Sequence, residues 1–300
     1  MIADDTAVAP RIVDVQGIPM SALVAEARRP RAVVVALHGG ASTSRYFDCP
    51  DRPRLSLLRA GVALGFTVVA LDRPGYGSSL GYAERMGPPA RRVELAYAAV
   101  DKLLASRSRG AGVFLLAHSI GCELGLRMAT DGRGAELLGV ELAGTGRQHH
   151  PAARDIMQSW QLDPEWPRRT SRTGLRELLW HPAHLYPDEL VGGARIAAPG
   201  PAYEAAVVER WAAYDFPELA AKVTVPVHFT LGDHERVWRS GPAALAELAA
   251  LFGAAPRVAV HEQARGGHNL SLGLTALAYH LTVLSFVEEC VVDAARSGRR

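Results

Sequence analysis

The chain carries short, unbroken apolar runs that alternate with helical patterns, and this alternation constrains the fold more than any other feature. The runs are "AVVVAL" (Ala32–Leu37), "FTVVALD" (Phe66–Asp72), "GVFLLA" (Gly112–Ala117), "LLGVELA" (Leu137–Ala143) and "VPVHFTL" (Val225–Leu231). A strand that stays apolar at successive residues is buried on both faces, as in a parallel sheet covered by helices. Intervening segments supply the helices. "RLSLLRAGVALG" stops at Gly65, "ARRVELAYAAVDKLLASR" is long and amphipathic, and "IGCELGLRMATD", "PAALAELAALFG" and "ALAYHLTVLSFVEECVVDAA" follow. "RIVDV" and "SALVAEA" alternate like half-buried strands, and "RVAVHE" reads as the last strand. The expected fold is α/β, with a mostly parallel central sheet and helices on both faces.

The rhythm breaks between residues 145 and 222. Pro, Arg and Trp are frequent there, and Trp160, Trp166, Trp180 and Trp211 are all but one of the chain's five Trp. The expectation is an inserted, mainly helical cap at 145–222 over a core formed by 1–144 and 223–300, a division that 300 residues accommodate.

Composition excludes several classes of function. Lys and Arg number 33 against 31 Asp and Glu, a net charge of +2 spread along the chain. No basic stripe or acidic tail forms, so nucleic acid is not an expected partner. No segment has the roughly 18 consecutive apolar residues of a membrane span. The start, "MIADDTAVAPRIVDV", is acidic and does not read as a secretory signal. Cys49, Cys122 and Cys290 are odd in number and widely spaced, which suggests neither disulfides nor zinc. A cytoplasmic protein with free thiols is expected. No GxGxxG string follows a strand, which argues against a nicotinamide cofactor, and no cofactor or metal is expected.

In a parallel sheet, ligands gather beyond the carboxyl ends of the strands. After "GVFLLA" comes His118-Ser119-Ile120-Gly121. Ala117-His118-Ser119-Ile120-Gly121 has the form small-x-Ser-x-small, which a sharp strand-to-helix turn requires because the flanking positions crowd together. Alone, the string also suits a helix N-cap serine. The segment resembles the nucleophile elbow of the α/β-hydrolase fold family, departing from it at Ala117, where Gly is commoner.

Other strand ends carry the same resemblance. His38-Gly39-Gly40-Ala41 follows "AVVVAL" and is similar to the HG-x motif that supplies an oxyanion-hole N–H. That implies donors at Gly40 and Ile120, with Ala41 beside the substrate and His38 bracing the loop. "DRPGYGSS" (Asp72–Ser79) resembles the D-x-P-G-x-G-x-S segment, a structural floor. Gly232-Asp233-His234-Glu235 falls where the family places its catalytic acid. The usual register implies Glu235, with Asp233 as the alternative; as plain residues, the first suits a surface ion pair and the second a turn. "QARGGHNLSL" puts His268 in a glycine-flanked loop where the family carries its histidine. The resemblance thus implies Ser119, Glu235 or Asp233, and His268, in the chain order of this fold.

His118 is expected to line the site, and Trp160, Trp180, Trp211 and Trp238 to contribute an apolar acyl pocket, although the same rings could simply form the core of the cap. Cys122 reads as helix packing, and His149, His150, His181 and His184 as polar residues of the cap. The expected activity is hydrolysis of an ester or thioester of a small to medium apolar acid, the substrate being a small-molecule acyl compound. The alternatives are an acyltransferase or a lyase, including a carbon–carbon bond hydrolase, and a non-catalytic binding protein that retains the fold. If the chain self-associates, a homodimer is expected.

Overall fold

The computed structural model describes residues 7–49, 51–154, 156, 173–296 and 298. Eight strands form one sheet: β1 (Ala9–Val15), β2 (Ile18–Ala25), β3 (Val33–Leu37), β4 (Thr67–Leu71), β5 (Val113–His118), β6 (Gly139–Ala143), β7 (Val227–Gly232) and β8 (Val258–Gln263). Their spatial order is β1-β2-β4-β3-β5-β6-β7-β8. β2 pairs antiparallel with β1 and with β4, and every other pairing is parallel.

The unbroken apolar runs have a direct physical cause. Successive side chains of a strand point to opposite faces. Val33, Val35 and Leu37 of β3 enter one core layer, with Leu95 and Leu124, while Val34 and Ala36 enter the other, with Leu57 and Val283. The first layer is closed by α2 (Pro89–Leu104) and α3 (Gly121–Thr130), the second by α1 (Leu57–Ala63) and the long C-terminal helix Ala276–Arg296. β1 departs from its expected half-buried pattern. As an antiparallel edge strand it has little cover, and Ile12 is 65% exposed.

Glu141 sits in the middle of β6 and is fully buried. Its carboxylate meets His228 Nδ1 and accepts a hydrogen bond from the Tyr279 hydroxyl at 3.2 Å. A buried carboxylate is tolerated only with such partners.

Between β6 and β7 the chain leaves the sheet. Its described part includes α4 (Thr173–Leu179), α5 (Tyr203–Arg210), a π-helical turn at Trp211–Asp215, and α6 (Phe216–Ala220). Polar contacts tie this excursion to the core. Arg127 of α3 bridges Asp215 at 2.9 Å and also pairs with Glu123, which is held by Arg92 at 2.7 Å. Asp215 thereby joins a nearly buried charge network instead of adding an isolated charge.

The parallel registers align Leu37, Leu71, Ala117 and Leu142 across neighbouring strands. The residues that follow, His38–Gly40, Asp72–Arg73, His118–Ser119 and Gly144–Thr145, therefore emerge along one edge of the sheet.

Candidate active site

Ser119 stands between β5 and α3 with a φ of +55°, a left-handed conformation that is strained for a residue with a Cβ. The turn is held by Ser119 N–H donating to the Ala143 carbonyl at 2.8 Å and by Cys122 N–H donating to the Ser119 carbonyl at 2.9 Å. Gly121 is dictated by crowding, since a Cβ there would lie 2.4 Å from the His38 carbonyl oxygen. The small-x-Ser-x-small spacing reflects this approach of α3 to the end of β3.

The Ser119 hydroxyl and His268 Nε2 are 3.0 Å apart. The Glu235 carboxylate takes His268 Nδ1 with both oxygens, at 2.9 and 3.0 Å. An Nδ1 facing a carboxylate carries the proton, which leaves the Nε2 lone pair to accept from Ser119. Glu235 and His268 are almost fully buried. Burial raises the Glu235 pKa, but His268 and the backbone N–H groups of Val237 and Trp238 outweigh it and hold the carboxyl below its ordinary range.

Asp233, the alternative acid, lies elsewhere. Its carboxylate contacts His234 at 2.6 Å and accepts the N–H groups of Arg265 and Gly266 at 2.9 and 3.0 Å. It braces the histidine loop from outside. From the other side, the 173–190 segment buttresses that loop. A Cβ at Gly267 would lie 2.3 Å from the His181 carbonyl oxygen, and Asn269 Nδ2 donates to the Leu179 carbonyl at 2.8 Å.

Gly40 adjoins Ile120, and no acceptor among the described residues takes the N–H of either. The neighbouring Ala41 N–H is engaged by the Tyr76 hydroxyl at 3.1 Å. His38 donates from Nδ1 to the Gly39 carbonyl at 2.7 Å and accepts the Arg73 N–H at Nε2, so it braces this loop.

His118 differs from its expected position along the site wall. It is buried, stacks on Tyr46 at 4.4 Å, and donates from Nε2 to the His268 carbonyl at 2.9 Å. The tryptophans also meet internal partners. Trp180 packs edge-on against Tyr186, Trp211 stacks on Phe216 and donates to Thr145 at 2.8 Å, and Trp238 stacks on His149. Trp160 lies outside the described residues. Cys122 is fully buried, which pushes its thiol pKa up and away from reactivity. Among the described residues, no group of three His, Cys, Asp or Glu side chains could hold a metal ion. No described helix is long and apolar enough to cross a membrane.

Sequence reasoning missed one pair beside the site. Arg73, within the "DRPG" string, is buried and bridges Glu204 of α5 at 2.6 Å. The only local signal was a second charged residue, next to Asp72, just beyond a buried strand.

Three buried histidines make stability dependent on pH. Burial, with Arg73 adding to it, holds His38 well below an ordinary imidazole; burial and then His268 do the same to His118; burial pulls His280 down to about 3. The unfolded chain therefore takes up these protons first as the pH falls below about 6.5, where an unperturbed imidazole titrates. The stability they contribute is complete above that value and is lost progressively toward the folded values. Each histidine adds a slope of about 1.4 kcal/mol per pH unit. Denaturant midpoints measured from pH 7.5 to 5 should fall steeply, and His280→Gln should make the slope measurably shallower. A flat profile would contradict the neutral buried state.

A strained serine at a strand–helix turn, a histidine and an acid from later strand ends, and a mostly parallel sheet covered on both faces together define an α/β-hydrolase fold. Residues 34–277 match the alpha/beta hydrolase family, and the chain belongs to that family. No curated protein matches the chain. Among solved structures, an esterase from a Rhodococcus species shares 19% identity at a TM-score of 0.66, covering 94% of this chain and 98% of that one. A 2-hydroxy-6-oxo-6-phenylhexa-2,4-dienoate hydrolase from another Rhodococcus strain shares 18% at a TM-score of 0.65, covering 94% and 99%. The thioesterase domain of the curacin biosynthetic pathway shares 17% at a TM-score of 0.59, covering 93% and 99%. These likenesses establish the fold.

Proposed function

We propose that the protein is a serine hydrolase that cleaves an ester or thioester of a small to medium apolar acid through an acyl-enzyme. The observation that carries this reading is the hydrogen-bonded chain from Ser119 through His268 Nε2 to Nδ1 and Glu235, with links of 3.0 and 2.9 Å. A serine hydroxyl is a weak nucleophile until a base removes its proton as it attacks. His268 takes that proton, and Glu235 keeps the imidazole in the useful tautomer and stabilises the imidazolium. The carbonyl carbon becomes tetrahedral, and its oxyanion is met by the N–H groups of Gly40 and Ile120, each contributing about 3 kcal/mol. His268 then protonates the leaving alcohol or thiol, and water, activated by the same imidazole, releases the acid.

The 145–222 segment acts in this reading as the cap over the core of 1–144 and 223–300. Its contacts with the histidine loop and with Arg73 support that role. The Ile120 side chain beside Gly40 gives the acyl group an apolar neighbour.

A fluorophosphonate probe tests the assignment. Mass spectrometry of the labelled protein should place the adduct on Ser119, and an ester and thioester panel should show turnover that depends on acyl length and releases free acid. A folded protein that takes no label would leave a binding protein as the better reading. Product esters formed in the presence of an alcohol acceptor would instead indicate acyl transfer.

A further inference from the structure

We propose that Arg73 is a positioning residue for the oxyanion hole and that Glu204 of the excursion locks it, so that docking of α5 completes the hole. This rests on the hydrolase reading above. The argument begins with one peptide unit. The Gly40 N–H assigned as an oxyanion donor belongs to the same planar, trans peptide as the Gly39 carbonyl, and the two point in opposite directions. Whatever holds the carbonyl therefore aims the N–H. Two donors hold it: Arg73 Nη2 at 3.0 Å and His38 Nδ1 at 2.7 Å. One of them is charged, and a charge-assisted bond to the carbonyl polarises the opposite N–H and strengthens it as a donor.

Arg73 is 1% exposed, so its charge needs a carboxylate. The adjacent Asp72 does not serve, because its oxygens take the Ser21 hydroxyl at 2.6 Å and the Ser44 N–H at 2.7 Å. The carboxylate comes instead from Glu204 Oε1, at 2.6 Å. Glu204 lies in the first turn of α5, and that turn is bolted to the loop after β4. The Tyr203 hydroxyl donates to the Pro74 carbonyl at 2.9 Å, its ring lies 4.2 Å from the Arg92 guanidinium carbon, and Pro201 packs over Gly75. When α5 is seated, Arg73 has its counter-ion and the Gly39 carbonyl is held.

Glu204 Oε2 comes within 3.3 Å of where a Gly40 Cβ would be, which places a carboxylate oxygen beside the hole. Left without Arg73, that charge would oppose a developing oxyanion. The pair therefore acts as a unit, and loss of the two members should be far from additive.

The test compares Arg73→Met, Glu204→Gln and the double variant with the parent protein, using a trifluoromethyl ketone and the methyl ketone of the same shape. The first adds to Ser119 as an oxyanion and the second binds without reaction. Arg73→Met should lower kcat about 100-fold and weaken the trifluoromethyl ketone similarly, with the methyl ketone and KM nearly unchanged. Glu204→Gln should cost about tenfold, and adding it to Arg73→Met should restore part of the lost rate. Arg73→Lys keeps the charge and should fall between parent and Arg73→Met, which supplies a readout if the methionine variant is too unstable to fold. Equal weakening of both ketones, additive losses, or an unchanged kcat would overturn the proposal. A parent protein whose Ser119 binds neither the trifluoromethyl ketone nor the fluorophosphonate would instead refute the hydrolase reading, and this inference with it.

Discussion

Replacing Ser119 with Ala is expected to lower kcat by about 10⁴- to 10⁶-fold while leaving the fold intact. Residues of a catalytic triad act as a unit, so in the proposed mechanism loss of the nucleophile removes nearly all the chemistry assigned to His268 and Glu235. The backbone explains why the fold should survive. The φ of +55° at Ser119 is imposed by its N–H bond to Ala143 and by the approach of α3 to β3, and neither needs the hydroxyl. Alanine bears the same strain as serine. Ser119→Gly should relieve it and stabilise the protein by about 1 kcal/mol while being equally inactive. The two variants are to be compared in denaturant melts and with the best ester of the panel. Activity of Ser119→Ala within tenfold of the parent would mean that the elbow carries no nucleophile.

The second large effect is a contrast between two carboxylates that stand two residues apart. Glu235→Gln should reduce kcat by about 10³- to 10⁴-fold, since the imidazolium loses its charged partner and Nδ1 its tautomer-fixing acceptor. Asp233→Asn should cost less than about tenfold, because an amide oxygen can still accept one of the two loop N–H groups. The difference follows from direction. The Glu235 side chain turns inward to His268, whereas Asp233 faces outward to His234 and the backbone of Arg265 and Gly266. A damaging Asp233→Asn beside a mild Glu235→Gln would reverse the assignment.

Much of the fold was legible because its causes are local. Double-sided burial writes itself as unbroken apolar runs, and the crowded turn at Ser119 demands Gly121 within two residues. The glycines before His268 were equally visible, and one has a clear reason in the His181 carbonyl packed against it. Legibility stops where one residue type serves two environments. His118 follows a strand as a site residue would, but it turns beneath the histidine loop and holds that loop's carbonyl. Trp180, Trp211 and Trp238 suggested an acyl pocket by composition, yet their rings meet Tyr186, Phe216 and His149. Composition reports that aromatic surface must be buried and is silent about its partner.

The sequence by itself determined the α/β class, the mostly parallel sheet and the strand ends along which chemistry could gather. These follow from periodicity and turn sterics, which act over a few residues. Only the tertiary structure decided which carboxylate meets His268, how the histidine loop is braced, and that Arg73 finds its counter-ion on α5. Those outcomes depend on the directions of side chains brought together from distant segments. A buried charge states that it needs a partner, but distance and direction, which only the assembled fold supplies, select which one.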